Sequence, residues 1–162
     1  MNEWTMRTDE VAFLLNPAFC GRILYTTIKT YNKILCKPFP FPLIYLILPL
    51  ILHKQTRINI TSRKKLLVWI KENSQLLIDF PRRTKDLVPI SNEAIEFLLQ
   101  TGIIILTPNG ELKISHSIPS LSKTKYADFE VKECLKKAEH VAKWFSSAGK
   151  IETIYIEFGV RP

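Results

Sequence analysis

Cysteine is scarce in this chain: three residues in 162 (Cys20, Cys36 and Cys134), with no pair at a C-x-x-C spacing. An odd set so placed excludes a disulfide framework and a thiolate zinc site, and fits a reducing, cytoplasmic setting. Glycine is nearly as rare, at five. The one Gly-Lys pair, Gly149-Lys150, has Trp144 where a phosphate-binding loop needs its first glycine, and no Ser or Thr follows it. That nucleotide site is excluded. Long apolar runs are missing too. The N-terminus is acidic where a secretion signal needs basic residues. The apolar stretch Pro38–Leu52 holds four prolines; as a helix it reaches about 22 Å, short of the ~30 Å hydrocarbon core. It predicts a buried helix, ended near His53 by Pro49, and not a membrane span.

Catalytic constellations are equally hard to find. His53, His116 and His140 are scattered, and Cys134 and His140 lie about 240° apart around a helix, so no zinc set forms. Ser115-His116-Ser117 has nucleophile and base types, but adjacent residues rarely face each other and no elbow glycines flank them. Glu111-Leu112-Lys113 and Glu130-Val131-Lys132 match the E-x-K of metal-dependent nucleases. The upstream Asp79 and Asp86 precede a helix, so neither sits on a neighbouring strand where it could share a metal. No catalytic residue, metal or cofactor is predicted.

What remains is an ordinary globular composition, 46% hydrophobic and 23% charged, on a chain long enough to build a core unaided. Asn16-Pro17 opens a helix with Cys20, Ile23, Leu24, Ile28, Tyr31 and Leu35 on its apolar face. Thr61-Ser62 caps a helix through Leu66, Trp69 and Ile70. A short helix or turn, interrupted at Pro81, covers Gln75–Leu87. Ser91 opens a third helix that Gly102 stops. A hairpin turning at Asn109-Gly110 follows. The class is therefore α+β, mainly helical. An N-terminal helical region (1–60) precedes a winged-helix-like module of three helices and a hairpin (61–116). A linker (117–126) leads to a C-terminal helix and a strand over Thr153–Val160 (127–162).

The formal charge of +8 is unevenly spread: residues 29–85 carry twelve basic and two acidic side chains. Such concentration points to an anionic partner or an acidic protein face, with a solvated surface as the plain alternative. Yet the third helix, the one that enters the major groove in winged-helix proteins, carries Glu93 and Glu96 and no Lys or Arg. That charge opposes groove reading. The candidates for contact with a DNA backbone or a partner protein are Lys54, Arg57, Arg63, Lys64, Lys65, Arg82, Arg83 and Lys85. On the last helix, Val131, Leu135, Ala138, Ala142 and Phe145 form a narrow seam for another helix, from this chain or from a partner. Leu135 and Phe145 are its interface candidates.

Several stretches, read together, resemble one family. They are Leu15-Asn16-Pro17-Ala18-Phe19-Cys20, then Leu48-Pro49-Leu50-Ile51-Leu52-His53 with Thr56-Arg57. Trp69, Leu76–Phe80, Pro89 and the terminal Gly159-Val160-Arg161-Pro162 complete the set. In order and spacing they resemble the middle component of bacterial three-component ABC systems, also called Lamassu-type defence systems. Phe158 stands where members often carry Trp. The resemblance implies a small non-catalytic adaptor that bridges an SMC-like ABC ATPase and an effector, commonly a nuclease. It implies duplex DNA reached through the complex or by backbone contacts, and a role against phages or plasmids. It adds Phe158 and Arg161 to the interface candidates. A stand-alone winged-helix DNA binder or repressor is the alternative class.

Overall fold

The computed structural model describes residues 15–115 and 125–161. Helix α1 (Pro17–Leu35) starts as its sequence demands: Asn16 Oδ1 accepts from the Ala18 amide at 2.7 Å, and Pro17 sits in the first turn. It ends in a left-handed Cys36 (φ 51°). There the Asn32 amide reaches both ways, donating to the Lys37 carbonyl at 2.9 Å and accepting from the Ile114 amide at 3.2 Å.

The buried helix expected over Pro38–Leu52 is buried but is not one helix. It comprises strand β1 (Phe39–Pro40), a 3-10 segment (Phe41–Leu46) and α2 (Ile47–Ile51). Pro40 and Pro42 bring no amide hydrogen, so the chain stays extended and then tight until regular bonding can begin after Leu46. The turn out of α2 is capped by His53, whose Nδ1 accepts from the Thr56 amide at 3.3 Å and opens α3 (Lys54–Asn59).

Prolines also shift the next boundaries. Pro81 opens α5 (Phe80–Asp86) and does not interrupt it. Pro89 lies in the first turn of α6 (Val88–Gln100), which begins before Ser91. Ser91 is thus no cap; it is buried inside the helix. Thr61 caps only a turn, accepting from the Arg63 amide, while α4 (Leu66–Glu72) starts at Lys65 without a side-chain cap. Gly102 (φ +69°) ends α6: its amide bonds the Leu99 carbonyl and the Ile103 amide bonds that of Leu98, a Schellman closure. The hairpin follows as expected, β2 (Ile104–Leu106) and β3 (Glu111–Ile114), turning through Gly110 (φ +73°).

The hairpin does not rest on residues 61–116 alone. The sheet order is β1-β3-β2, all antiparallel, with Phe39 and Leu106 flanking Leu112. Beneath it lies α1, between α6 and α7 (Phe129–Ser147). Gly21 permits this: a Cβ there would lie 3.3 Å from the Phe97 ring. Helix α7, capped by Asp128 Oδ1 on the Val131 amide at 2.9 Å, lays Cys134, Ala138, Val141, Ala142, Trp144 and Phe145 onto the core. Of the linker expected at 117–126, residues 117–124 lie outside the described residues, as does His116.

The terminal segment is the plainest correction. Residues 153–160 form no strand; α8 (Ile151–Glu157) is a helix. Ile154, Ile156 and Phe158 alternate, which suggested a strand. The helical set Ile151, Ile154, Tyr155 and Phe158 competes with that pattern, and it is the one that faces inward. Ile154 is fully buried while Ile156 is 73% exposed.

Candidate functional site

Gly159-Val160-Arg161, the most distinctive sequence element, follows directly from α8 and explains itself locally. The Gly159 amide bonds the Ile156 carbonyl at 2.9 Å and the Val160 amide bonds that of Tyr155 at 3.0 Å. This is a second Schellman closure, and Gly159 takes the positive φ (+69°) that it requires. The closure turns the chain back over α5. Phe158 stacks on Phe80 with ring centroids 4.6 Å apart. Val160 and Arg161 then line a cavity of about 620 Å³ with Tyr45, Pro81, Thr84, Lys85, Val88 and Tyr155.

The hydroxyl groups of this cavity are committed elsewhere. Tyr155 donates to the Pro42 carbonyl and Tyr45 donates to Asn92 Oδ1 at 2.8 Å. Burial, and secondarily Tyr45, pushes the Tyr155 phenol up to about 12, so it stays neutral. Thr84 Oγ1 turns back to the Phe80 carbonyl at 2.9 Å. The cavity offers aromatic and aliphatic walls, and two exposed cations, Lys85 and Arg161, are among the residues that line it. It suits an apolar side chain flanked by a carboxylate. Tyr45, Val88 and Tyr155 went unnoticed in sequence because each reads as an ordinary core position.

The basic stretch does not assemble into one surface. Arg57 is 4% exposed. Its guanidinium donates to Glu133 Oε2 and Glu130 Oε1, each at 3.0 Å, and to the Ile51 carbonyl at 2.9 Å, tying α3 to α7. It is a structural clamp and is closed to a partner. Arg83 is half-buried over the Phe80 ring and donates to Thr56 Oγ1 at 3.2 Å. Lys64 pairs with Glu72, Arg82 with Asp79 at 3.7 Å, and Lys54 approaches Glu130 at 3.8 Å. Arg63, Lys65 and Lys85 are exposed, and no carboxylate pairs with them among the described residues.

The helical seam closes inside the chain. Phe145 is 3% exposed and Leu135 is partly buried against the same core. Trp144 widens the stripe, tilting on Trp69 at 4.8 Å while its indole donates to the Thr61 and Lys64 carbonyls. Phe158 is likewise buried, which leaves Arg161 as the one exposed interface candidate of the four. Of the E-x-K triplets, the first lies on β3 and the second on α7, and no cluster of His, Cys, Asp and Glu among the described residues could hold a metal. No helix among them is long and apolar enough to cross a membrane.

Comparison with curated proteins and with solved structures finds no match for this chain. A family model does match, over residues 4–162, and it spans the α1 cap, the proline-rich core segment and the Gly-Val-Arg terminus described above. The chain belongs to the family of ABC-three component system middle component 3.

Proposed function

We propose that this chain is a non-catalytic adaptor which joins an SMC-like ABC ATPase to an effector, a nuclease in the simplest case, within a cytoplasmic anti-phage or anti-plasmid complex of the Lamassu type. The family supports a subunit among subunits. The observation that carries the reading is the terminal cavity. Its walls come from α5, α6 and α8, its hydroxyl groups are spent on the fold, and its two cations are exposed. An enzyme site needs groups left available for chemistry; a docking site needs a pocket for an anchor and charge to orient it. In this reading duplex DNA is held chiefly by the ATPase.

The stand-alone DNA-binding reading has one observation in its favour. Helix, short strand, helices, then hairpin, with sheet order β1-β3-β2, supports it, because that order resembles a winged helix, though one that draws α1 and β1 in from outside the module expected at 61–116. The corresponding recognition helix is α6, which bears glutamates and no cation, so the topology serves here as a scaffold.

Co-expression with the neighbouring subunits tests the adaptor reading. Lys85→Glu/Arg161→Glu should leave the chain's melting temperature within about 2 °C, as exposed substitutions do, while the ATPase or the effector is lost from the purified complex. Full assembly by the double variant overturns the assignment of the cavity.

A further inference from the structure

The two sides of the three-stranded sheet are finished differently. On the β1 side the ladder is closed: Pro40 brings no amide hydrogen, and the Ile114 amide donates to Asn32 Oδ1 at 3.2 Å. On the β2 side it is open. The Ser115 amide bonds the Ile103 carbonyl and the Thr107 amide bonds that of Glu111. Antiparallel bonding alternates, so Ile105 turns its polar backbone groups to β3, while the amides and carbonyls of Ile104 and Leu106 face away from it. The Ile114 amide, opposite Ile104, points away from β2 as that alternation requires. No group among the described residues bonds the outward amides and carbonyls. Sheet edges commonly carry a charge, a proline or a bulge that discourages pairing; Ile104-Ile105-Leu106 carries no charge and no proline. Its side chains are also uncovered. Ile105 is 45% exposed, and Leu106, on the same face as the buried Ile104, is 53% exposed.

We infer that β2 pairs antiparallel with β2 of a second copy of this chain, about a two-fold axis that passes beside Ile105. The edge is self-complementary, as such an axis demands. Ile104 opposes Leu106 of the partner subunit, and Leu106 opposes the partner's Ile104, which satisfies every outward amide and carbonyl. Ile105 then meets the partner's Ile105 in a non-hydrogen-bonded pair, the closer of the two kinds, so the exposed apolar side chains cover each other. The length of the edge selects the same occupant. It stops at both ends, because the Ile103 amide is bonded to the Leu98 carbonyl and Pro108 has no amide hydrogen. A longer strand from another protein finds no further ladder there, whereas a second β2 matches it residue for residue. No charge within the strand selects an ionic partner. Two copies, each of formal charge +8, repel at long range, so this contact tightens with salt, while docking on an acidic protein would loosen. The inference does not rest on the terminal cavity.

Sedimentation equilibrium of the full chain, at concentrations up to about 1 mM as so small a contact requires, tests it. The average mass should rise with concentration from 18.8 kDa towards twice that value, and rise further with added salt. Ile105→Lys sets two cations face to face and should hold the mass at 18.8 kDa. Its melting temperature should stay within about 2 °C of the wild type, as at other exposed sites. Cross-linking reads the register directly. In a Cys36→Ser background, which removes the exposed thiol and leaves two buried ones, Ile105→Cys brings two Cα atoms to about 4.5 Å, within reach of a disulfide. Mild oxidation should then give a covalent dimer. Leu106→Cys leaves its two Cα atoms about 8–9 Å apart and should cross-link at least tenfold more slowly. The inference is overturned by any of four results: a wild-type chain that stays monomeric, which would leave the edge to a strand of another subunit; association of Ile105→Lys equal to that of the wild type; association that salt weakens; or equal cross-linking at positions 105 and 106.

Discussion

Residues 54–85 and the face shared by α1 and α7 carry positive charge in opposite ways. In the first region the charges are neighbours in sequence and scatter in space: Arg57 goes into the core, Arg83 half-buried beside it, and Lys64 and Arg82 onto carboxylates. In the second, Arg22, Lys29, Lys33 and Lys143 are spread over 122 positions and meet around one cavity. Charge density along the chain therefore measures how many cations a segment must place, whereas function depends on where helical geometry sends them. A row at i, i+7 and i+11 is a stronger sign of a shared surface than three adjacent basic residues, which must point in different directions.

The contrast can be broken most forcefully at the contact that creates the second region. Helix α7 lies on α1 through its buried stripe. Phe145→Ala removes a ring that packs 6.4 Å from Phe39 and should cost about 3–5 kcal/mol. Urea unfolding of the isolated chain measures it. A loss below about 1 kcal/mol would mean that the seam is completed only by a partner.

Within the first region, two arginines of equal formal charge should separate widely. Arg57→Ala strands two glutamates and a carbonyl. The loss should be roughly 2–3 kcal/mol, below the figure for a fully buried pair because Glu130 is 55% exposed. For a chain of this length that is a fall in melting temperature of about 4–12 °C. Arg82→Ala, at an exposed pair, should change stability by less than about 0.5 kcal/mol. Similar losses at both positions would restore the basic stretch as a single functional surface.

These differences also show which parts of the fold could be read in the sequence. The α1 cap at Asn16, the Gly102 stop, the hairpin and the burial of Pro38–Leu52 were legible because each depends on local chemistry: a cap acceptor, a positive φ, a turn pair, an uncharged run. The helix at 151–157 was not, because Ile154, Ile156 and Phe158 satisfy a strand period while Ile151, Ile154, Tyr155 and Phe158 satisfy a helical one. Seven residues offer too few repeats to choose, and packing against α4 and α5 decided it. The start of α6 moved for a similar reason: Ser91 is a good cap in isolation, but Pro89 fits the first turn just as well and lets the helix bury Ile90. The terminal motif was noticed without its cause, since a Schellman closure is recognisable only once the preceding residues are known to be helical.

The finest test compares two histidines, one beside each region. His53 has its pKa lowered by burial first and then by Arg83 and Arg57, with Asp79 opposing. His140 has its pKa lowered by burial first and then by Lys137, Lys143 and Lys136. Both shifts favour the neutral ring in the folded chain. Their stabilising contribution is therefore complete above the ordinary value of 6.5 and is lost as pH falls through the lower folded values. For His53 the loss includes its cap on α3, since a protonated Nδ1 no longer accepts from Thr56, an interaction worth about 1 kcal/mol. Thermal unfolding between pH 7.5 and 5 should accordingly show a falling melting temperature, and one that rises would reverse the sign of both shifts. Salt divides the pair. The cations beside His53 are packed into the fold, whereas of the three beside His140 only Lys137 is half-buried, and Lys136 and Lys143 are exposed and open to screening. Titration followed by NMR should find the His140 value rising toward 6.5 between low and high salt while that of His53 stays nearly fixed. Equal responses of the two rings to salt would erase the distinction between a charge packed into the fold and a charge left in solvent.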